Sequence, residues 1–503
     1  MTAHHRPDAV HAALGQRLRA AADALLGPDH GATDGPDLGA TAVALVHAAV
    51  ADATAAATWL LLSALSGTMP DDGAVRAARR RLRADPELAA AQLLDDALSA
   101  LVWSDPLVEI EVVQRGVLVD VDYTARHDLN TGIQRVVRHA VPRWARDHDV
   151  TLVAWSTSDA YRRLDAVEAA RVLSWAGPVG QPPRAVRSRR VVVPWRSTLV
   201  LPEVPAARAC RPLAAVAEHS GNEVVLVGYD CIPVVSADLM PLEEPERFVQ
   251  YLTVVKHATR VCAISEGAAE EFRGFADTLP SQGLTGPTVS SSRLPVDAPA
   301  AVPAEPADAA GAAEDASVPL VLSVGSHEPR KNHLSVLHAA EVLWREGLAF
   351  RLRFVGGSSW SSRPFDEEVA RLHRRGRDVA TGRGVGDDDL WAAYRAARFS
   401  VFTSVHEGYG LPVAESLAAG TPVITSDLPP TREAADGGGA LLVDPYDDDA
   451  LVAAMRSLLT DDEAYAALAR EASSRPLRTW DEYAAESWAQ LVGPDASTPV
   501  VSR

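Results

Sequence analysis

Two hydrophobic rhythms divide the chain near residue 106. Before it, apolar residues recur every three or four positions through LGQRLRAAADALL and AAAQLLDDALSALV, the spacing of helices with one buried face. Breakers such as GPDHGATDGPD and GTMPDDG fall between them, so residues 1–105 are expected to form a helical region. The most apolar stretch, residues 41–65, contains His47, Asp52 and several hydroxyl side chains. A membrane span needs about 20 nearly uncharged residues, so this stretch reads as a buried helix.

After residue 110, short unbroken apolar runs take over. VLVDVDY (117–123) reads as a buried strand with a polar exit, TGIQRVVRHAVPRWARD from Thr131 as an amphipathic helix, and VTLVAWS (150–156) as the next strand. VVVPW, STLVLPE, EVVLVGYD and RVCAISE continue the series. Strands alternating with helices predict a parallel sheet, and such sheets bind ligands at the carboxyl ends of their strands. Residues 301–317 are rich in Ala, Pro and acids without an apolar period, the composition of a linker. A second series starts at VPLVLSVGS (318–326). The expected fold is therefore α/β, with two Rossmann-like parallel-sheet domains (106–300 and 318–478) facing across a cleft. The last helix, within 479–503, is expected to return to the first domain.

Charge narrows the partners. With 48 basic and 67 acidic residues the net charge is −19, a field that repels a polyphosphate backbone, so nucleic acid is not an expected partner. Cys210, Cys231 and Cys262 have no metal or redox spacing and read as ordinary thiols. MTAHHRPDAV lacks the basic-then-apolar pattern of a signal peptide, and a cytoplasmic location is expected. Arg184, Arg187, Arg189, Arg190 and Arg196 cluster around Trp195. They read either as a solvated loop or as a contact for an anionic, lipid-linked acceptor at the inner face of the membrane.

Three segments carry chemistry. In HEGYGLPVAESLAAGTPVI (406–424), Gly408 and Gly410 open a loop whose amides can approach a ligand closely, and Pro412 suits the first turn of the helix that follows. That helix start favours an anion such as phosphate. Glu415 leans back towards it, where accepting hydrogen bonds from a ribose diol is the natural task, and Glu407 on the loop can do likewise for sugar hydroxyls. In SVGSHEPRKNHLSVLHAA (323–340), Arg330 and Lys331 stand between a strand and a helix, placed to neutralise a diphosphate. In HDLNTGIQRVVRHA (127–140), Gly132 follows the first strand of the first sheet and opens a helix.

Together these segments resemble glycosyltransferase family 4, whose mark is a pair of glutamates with seven residues between them, as Glu407 and Glu415 have. GYGLP and AAGTPVI match as well, and TGIQRVVR looks like the glycine loop of bacterial members. The resemblance implies a two-domain GT-B fold and transfer of a hexose or deoxyhexose with retention, in cell-envelope polysaccharide synthesis. It implies Glu407 near the transferred sugar, Glu415 on the ribose, and the amides around Gly410 and Leu411 on sugar and phosphate. Arg330 and Lys331 fall on the diphosphate. The loop at Gly384 and Val385 falls beside the base; Asp387–Asp389, read from their residue type alone, are expected to cap the next helix. Neither a metal nor another cofactor is implied; the donor is a nucleoside diphosphate sugar, with GDP-mannose, UDP-glucose and dTDP-rhamnose all open. The acceptor is a glycan or a lipid-linked molecule. Two departures stand out: Ser326 replaces an Arg that many relatives carry, and Tyr229 replaces a His beside Asp230. They leave a non-catalytic sugar-nucleotide scaffold as the competing reading.

Overall fold

The computed structural model describes residues 7–28, 38–100, 105–130, 132–156, 159–178, 180, 188–296, 298 and 318–493. Thr131, Arg184, Arg187 and the linker at 301–317 lie outside the described residues.

Nine strands build the first sheet. They are β1 (Glu109–Gln114), β2 (Val117–Asp120), β3 (Val150–Trp155), β4 (Tyr161–Arg163), β5 (Arg190–Trp195), β6 (Thr198–Leu201), β7 (Glu223–Gly228), β8 (Arg260–Ala263) and β9 (Thr288–Ser291). Their order is β1-β5-β4-β3-β2-β6-β7-β8-β9, parallel except where β4 meets β3 and β5. Six strands build the second: β10 (Leu320–Val324), β11 (Arg351–Val355), β12 (Val379–Gly382), β13 (Phe399–Phe402), β14 (Val423–Ser426) and β15 (Ala440–Val443). Their order is β12-β11-β10-β13-β14-β15, all parallel. The strands are short and Val-rich because both faces are covered: β2, β13 and β14 are buried along their whole length.

Apart from the edge strand β1, each sheet starts in its middle and grows outwards both ways. In the first, β2 is flanked by β3 and β6; in the second, β10 is flanked by β11 and β13. Successive connections leave on opposite faces at that reversal, so a crevice opens at the carboxyl ends of β2 and β6, and another at those of β10 and β13.

The helical region is packed onto the first sheet. Leu18, Trp59, Leu60 and Val75 share one apolar core with Ile110, Val191 and Val193. Buried Arg17 donates to the carbonyls of Ala64 and Val108 at 2.8 Å each. Gln16 pairs with both backbone groups of Ile110 on the edge strand β1, which closes that part of the edge to other strands. Across this interface Asp72, Glu218 and His219 come together, and Arg76 already binds both carboxylates.

Three local expectations need correcting. Residues 41–65 are two helices, Leu38–Ala51 and Ala56–Ser66. Asp52 ends the first and accepts from the Ala57 amide at the start of the second, because an Asp satisfies orphan helix donors better than it continues a helix. The strand expected over 117–123 stops at Asp120, and Asp122–Arg126 forms a short helix. Trp195, expected on a loop among arginines, is 2% exposed at the end of β5, so that patch has no aromatic ring to offer a partner.

Candidate active site

The second crevice holds the charged residues singled out above. After β10 the chain turns at Gly325, whose φ of 152° few side chains tolerate. A Cβ on Gly356, at the end of β11, would stand 1.9 Å from the Gly325 carbonyl oxygen, so the close approach of these two strand ends depends on glycine. A short 3-10 turn, Pro329–Lys331, then presents Arg330 and Lys331, and the helix His333–Arg345 follows. The loop after β13 folds back on this turn: Val405 N donates to Arg330 O at 2.9 Å and Ser404 Oγ at 3.0 Å.

That clasp sets Glu407 between two cations. Arg330 Nη1 lies 2.9 Å and Lys331 Nζ 2.5 Å from the same carboxylate oxygen, Glu407 Oε1, and Arg330 also pairs with Glu328. All four side chains are at most 12% exposed. Burial pushes the Glu407 carboxyl up, but Arg330 and Lys331 pull it further the other way, to about 2. Burial dominates at Lys331 and lowers its pKa from the ordinary lysine value, partly opposed by Glu407.

Gly410 ends the loop with φ 106° and caps the helix Leu411–Ala418, with Pro412 in its first turn. The left-handed turn needs glycine there. Gly132, which starts the helix Gly132–Asp147 of the first domain, faces this point: a Cβ on it would lie 3.8 Å from Leu411 Cδ1. Two helix starts, one from each domain, therefore meet across the cleft. One turn further in, Glu415 is 3% exposed, with Oε1 accepting from Arg135 at 2.8 Å and Oε2 from the Tyr394 hydroxyl at 3.1 Å.

Residues 306–475 match the profile of the family described as Glycosyl transferases group 1. The C-terminal half is therefore similar to group 1 glycosyl transferases. The serotype-specific mannosyltransferase WbdA of Escherichia coli is 26% identical over 68% of this chain and 41% of its own length. The O-antigen chain mannosyltransferase B of the same species is 35% identical over 28% of this chain and 37% of its own. A D-inositol 3-phosphate glycosyltransferase of Streptomyces avermitilis is 31% identical over 51% and 57%. The chain thus spans about two fifths of the WbdA-type relatives it matches. In fold it is similar to a sucrose-phosphate synthase from Thermosynechococcus elongatus, with a TM-score of 0.51 and 16% identity over 74% of this chain and 97% of that one. Anabaena HepE in complex with UDP gives 0.50 and 14%, over 75% and 100%. The two facing parallel sheets are those of the GT-B architecture.

The second domain brings Glu407, Arg330 and Lys331 into one cluster, and its Gly410 and Leu411 meet Gly132 of the first domain beside Glu415. Gly384 and Val385 stand apart, on the loop after the edge strand β12, two strands out from β10. The helix after them, Asp387–Ala396, has Gly386 as its N-cap and no side-chain cap, so Asp387–Asp389 do not cap it as expected; they fill its first turn, and the charge of Asp387 acts on Arg135. Asp120 and Asp122 do not face this crevice. Asp120 Oδ2 accepts from the Trp155 indole and the Tyr161 hydroxyl, and Asp122 pairs with Arg126.

Several residues of the site carried no assignment from sequence. Arg135 sits inside TGIQRVVR, three residues after Gly132, and that spacing in a first helical turn was the available signal. Glu328 precedes Arg330 by two residues. His406 anchors the loop after β13 to the first domain: its ring bridges Ser236 Oγ at 2.7 Å and Glu271, and its carbonyl accepts from Arg330. Gly408 rests on the same domain, since a Cβ there would come within 2.4 Å of the Tyr229 carbonyl oxygen. Tyr229 itself turns inward and donates to Pro202 O, so it supports the wall and leaves Asp230 beside the loop.

Proposed function

We propose that the protein is a retaining glycosyltransferase. It moves a hexose or deoxyhexose from a nucleoside diphosphate sugar to a glycan or lipid-linked acceptor, in cell-envelope polysaccharide synthesis. The reading is carried by the crevice between β10 and β13, where Arg330 and Lys331 converge on Glu407 beside the Gly410–Leu411 helix start. Cations in a dry crevice at a helix start suit an anion that gains charge as it departs. The mannosyltransferase names among the relatives favour mannose, with GDP as the matching nucleotide.

In this mechanism the diphosphate replaces Glu407 as the counter-anion of Lys331 and Arg330. Glu407 turns to the sugar hydroxyls, Glu415 accepts from the ribose, and the loop of Gly384 and Val385 borders the base. The bond from the anomeric carbon to the phosphate oxygen breaks as the acceptor oxygen bonds to that carbon on the same face. The acceptor proton passes to the departing phosphate oxygen. The cations and helix starts supply the positive charge, so the proposal needs no metal or other cofactor. The expected place of work is the cytoplasm, at the inner face of the membrane; no described helix is long and apolar enough to cross one.

A sugar-nucleotide scaffold is the competing reading, and one observation favours it: both oxygens of Glu415 are already engaged. Release of free diphosphate separates the two. Incubating the full chain with GDP-mannose, UDP-glucose or dTDP-rhamnose and lipid-linked glycan should release nucleoside diphosphate with one of them. Lys331→Ala should slow that release by roughly 10²–10³-fold, the loss of one charge contact to the leaving group. A wild-type chain that releases none is a scaffold, and unchanged turnover in Lys331→Ala removes the clamp.

A further inference from the structure

The geometry points to Arg135, a residue of the first domain, as a donor-binding cation: it holds Glu415 while the cleft is empty of nucleotide and turns to the diphosphate when a nucleoside diphosphate enters. The inference rests on the functional reading above, which places the diphosphate beside the Gly410–Leu411 helix start.

Position comes first. Arg135 lies in the first turn of the Gly132 helix, and that helix start abuts Leu411. A side chain one turn from Gly132 on the first domain therefore meets one that is one turn from Leu411 on the second, which is the Arg135–Glu415 pair at 2.8 Å. Its guanidinium also feels Asp387, at the start of the helix behind the Gly384–Val385 loop. Arg135 is thus surrounded by the elements assigned to phosphate, ribose and base, although it belongs to the opposite domain.

Charge comes second. Within the donor half, Arg330 and Lys331 are paired with Glu328 and Glu407, two cations against two carboxylates. Glu415 adds a further carboxylate, and Ser326 adds no charge. A diphosphate entering this crevice needs another positive group, and Arg135 is the cation already touching it. Its planar fork suits bidentate contact with phosphate.

Freedom comes third. Glu415 and Tyr394 are fully enclosed, whereas the Arg135 side chain keeps 31% of its surface exposed. The partner able to leave the carboxylate is the arginine. When it leaves, Glu415 Oε1 is open to a ribose hydroxyl, so one movement readies both contacts. The doubly occupied Glu415 is then the resting arrangement of a donor site.

Titration calorimetry on the full chain tests this with six probes: GDP, UDP, dTDP, guanosine, uridine and thymidine. Arg135→Gln is the deciding variant, because a glutamine still donates a hydrogen bond to Glu415 and spares the fold an unpaired buried carboxylate. Expected is a loss of on the order of 10- to 100-fold in affinity for the diphosphate that the wild type binds, the range of one charged hydrogen bond. Affinity for the matching nucleoside should hold or rise, and Arg135→Lys should recover part of the diphosphate affinity. Diphosphate binding as tight in Arg135→Gln as in the wild type overturns the inference and leaves the functional reading standing. A wild type that binds none of the three diphosphates overturns both.

Discussion

At the reversal point of the first sheet, Asp120 and Glu203 are held by neutral donors: the Trp155 indole and Tyr161 hydroxyl on one, the Thr124 hydroxyl and Tyr123 amide on the other. At the reversal point of the second sheet, Glu407 is held by Arg330 and Lys331. Both sheets thus place buried carboxyl groups at the ends of their central strands and treat them in opposite ways. Burial pushes Asp120 up to about 7 and Glu203 to about 8, whereas the two cations carry Glu407 down to about 2. A carboxyl group that resists ionisation serves to fix a turn; here Glu203 caps the start of the short Asp122–Arg126 helix. A carboxylate kept ionised between cations marks a place where another anion can compete for them.

The sharpest way to break this comparison is to replace one carboxyl group at each site by its amide. Glu407→Gln should lower the proposed sugar transfer by roughly 10²–10³-fold, since it alters the group proposed to meet the sugar and the charge balance of both cations. Glu203→Gln should leave the rate per folded molecule within a few-fold and cost about 1–3 kcal/mol of stability, through a buried hydrogen-bond set made imperfect. Equal losses of activity in a turnover assay would mean that the first site is also chemical.

A smaller effect is expected from crowding the second crevice. Gly356→Ala puts a methyl group against the Gly325 carbonyl oxygen, and thermal unfolding should report a loss of about 3 kcal/mol, the upper part of the range for overpacking. Gly177→Ala in the first domain meets nothing within 4 Å. Its left-handed φ of 110° still carries backbone strain, so a loss of about 1 kcal/mol separates strain from collision.

A last test is a slope with pH. The folded-state pKa values of Asp120 and Glu203 lie above their unfolded ones. Their favourable contribution is therefore complete below about pH 4 and fades as pH rises through 7 to 8. Glu407 has the reverse sign: its contribution is present above about pH 4.5 and is lost as pH falls towards 2. Denaturant unfolding from pH 5 to 8 should show declining stability, and Asp120→Asn should flatten the decline. An unaltered slope in Asp120→Asn would assign it to other groups.

The sequence by itself determined the alternation of strand and helix, because apolar runs of four to six residues bounded by polar turns have few other ways to bury their surface. It also determined the local parts of the site: the glycine turns at Gly325 and Gly410, the helix start after Leu411, and the presence of Glu407, Glu415, Arg330 and Lys331. These rest on neighbours in the chain, and the residue types report them. Only the tertiary structure decided the pairings. Arg330 and Glu407 are 77 positions apart and Arg135 and Glu415 are 280 apart, and no local pattern states which charges meet. The same holds for the break at Asp52 and for Glu203 ending the strand at Asp120. The physical reason is that a charge has no periodicity: it settles wherever folding brings a counter-charge or donor into the same dry space, and that is set by how two sheets face each other.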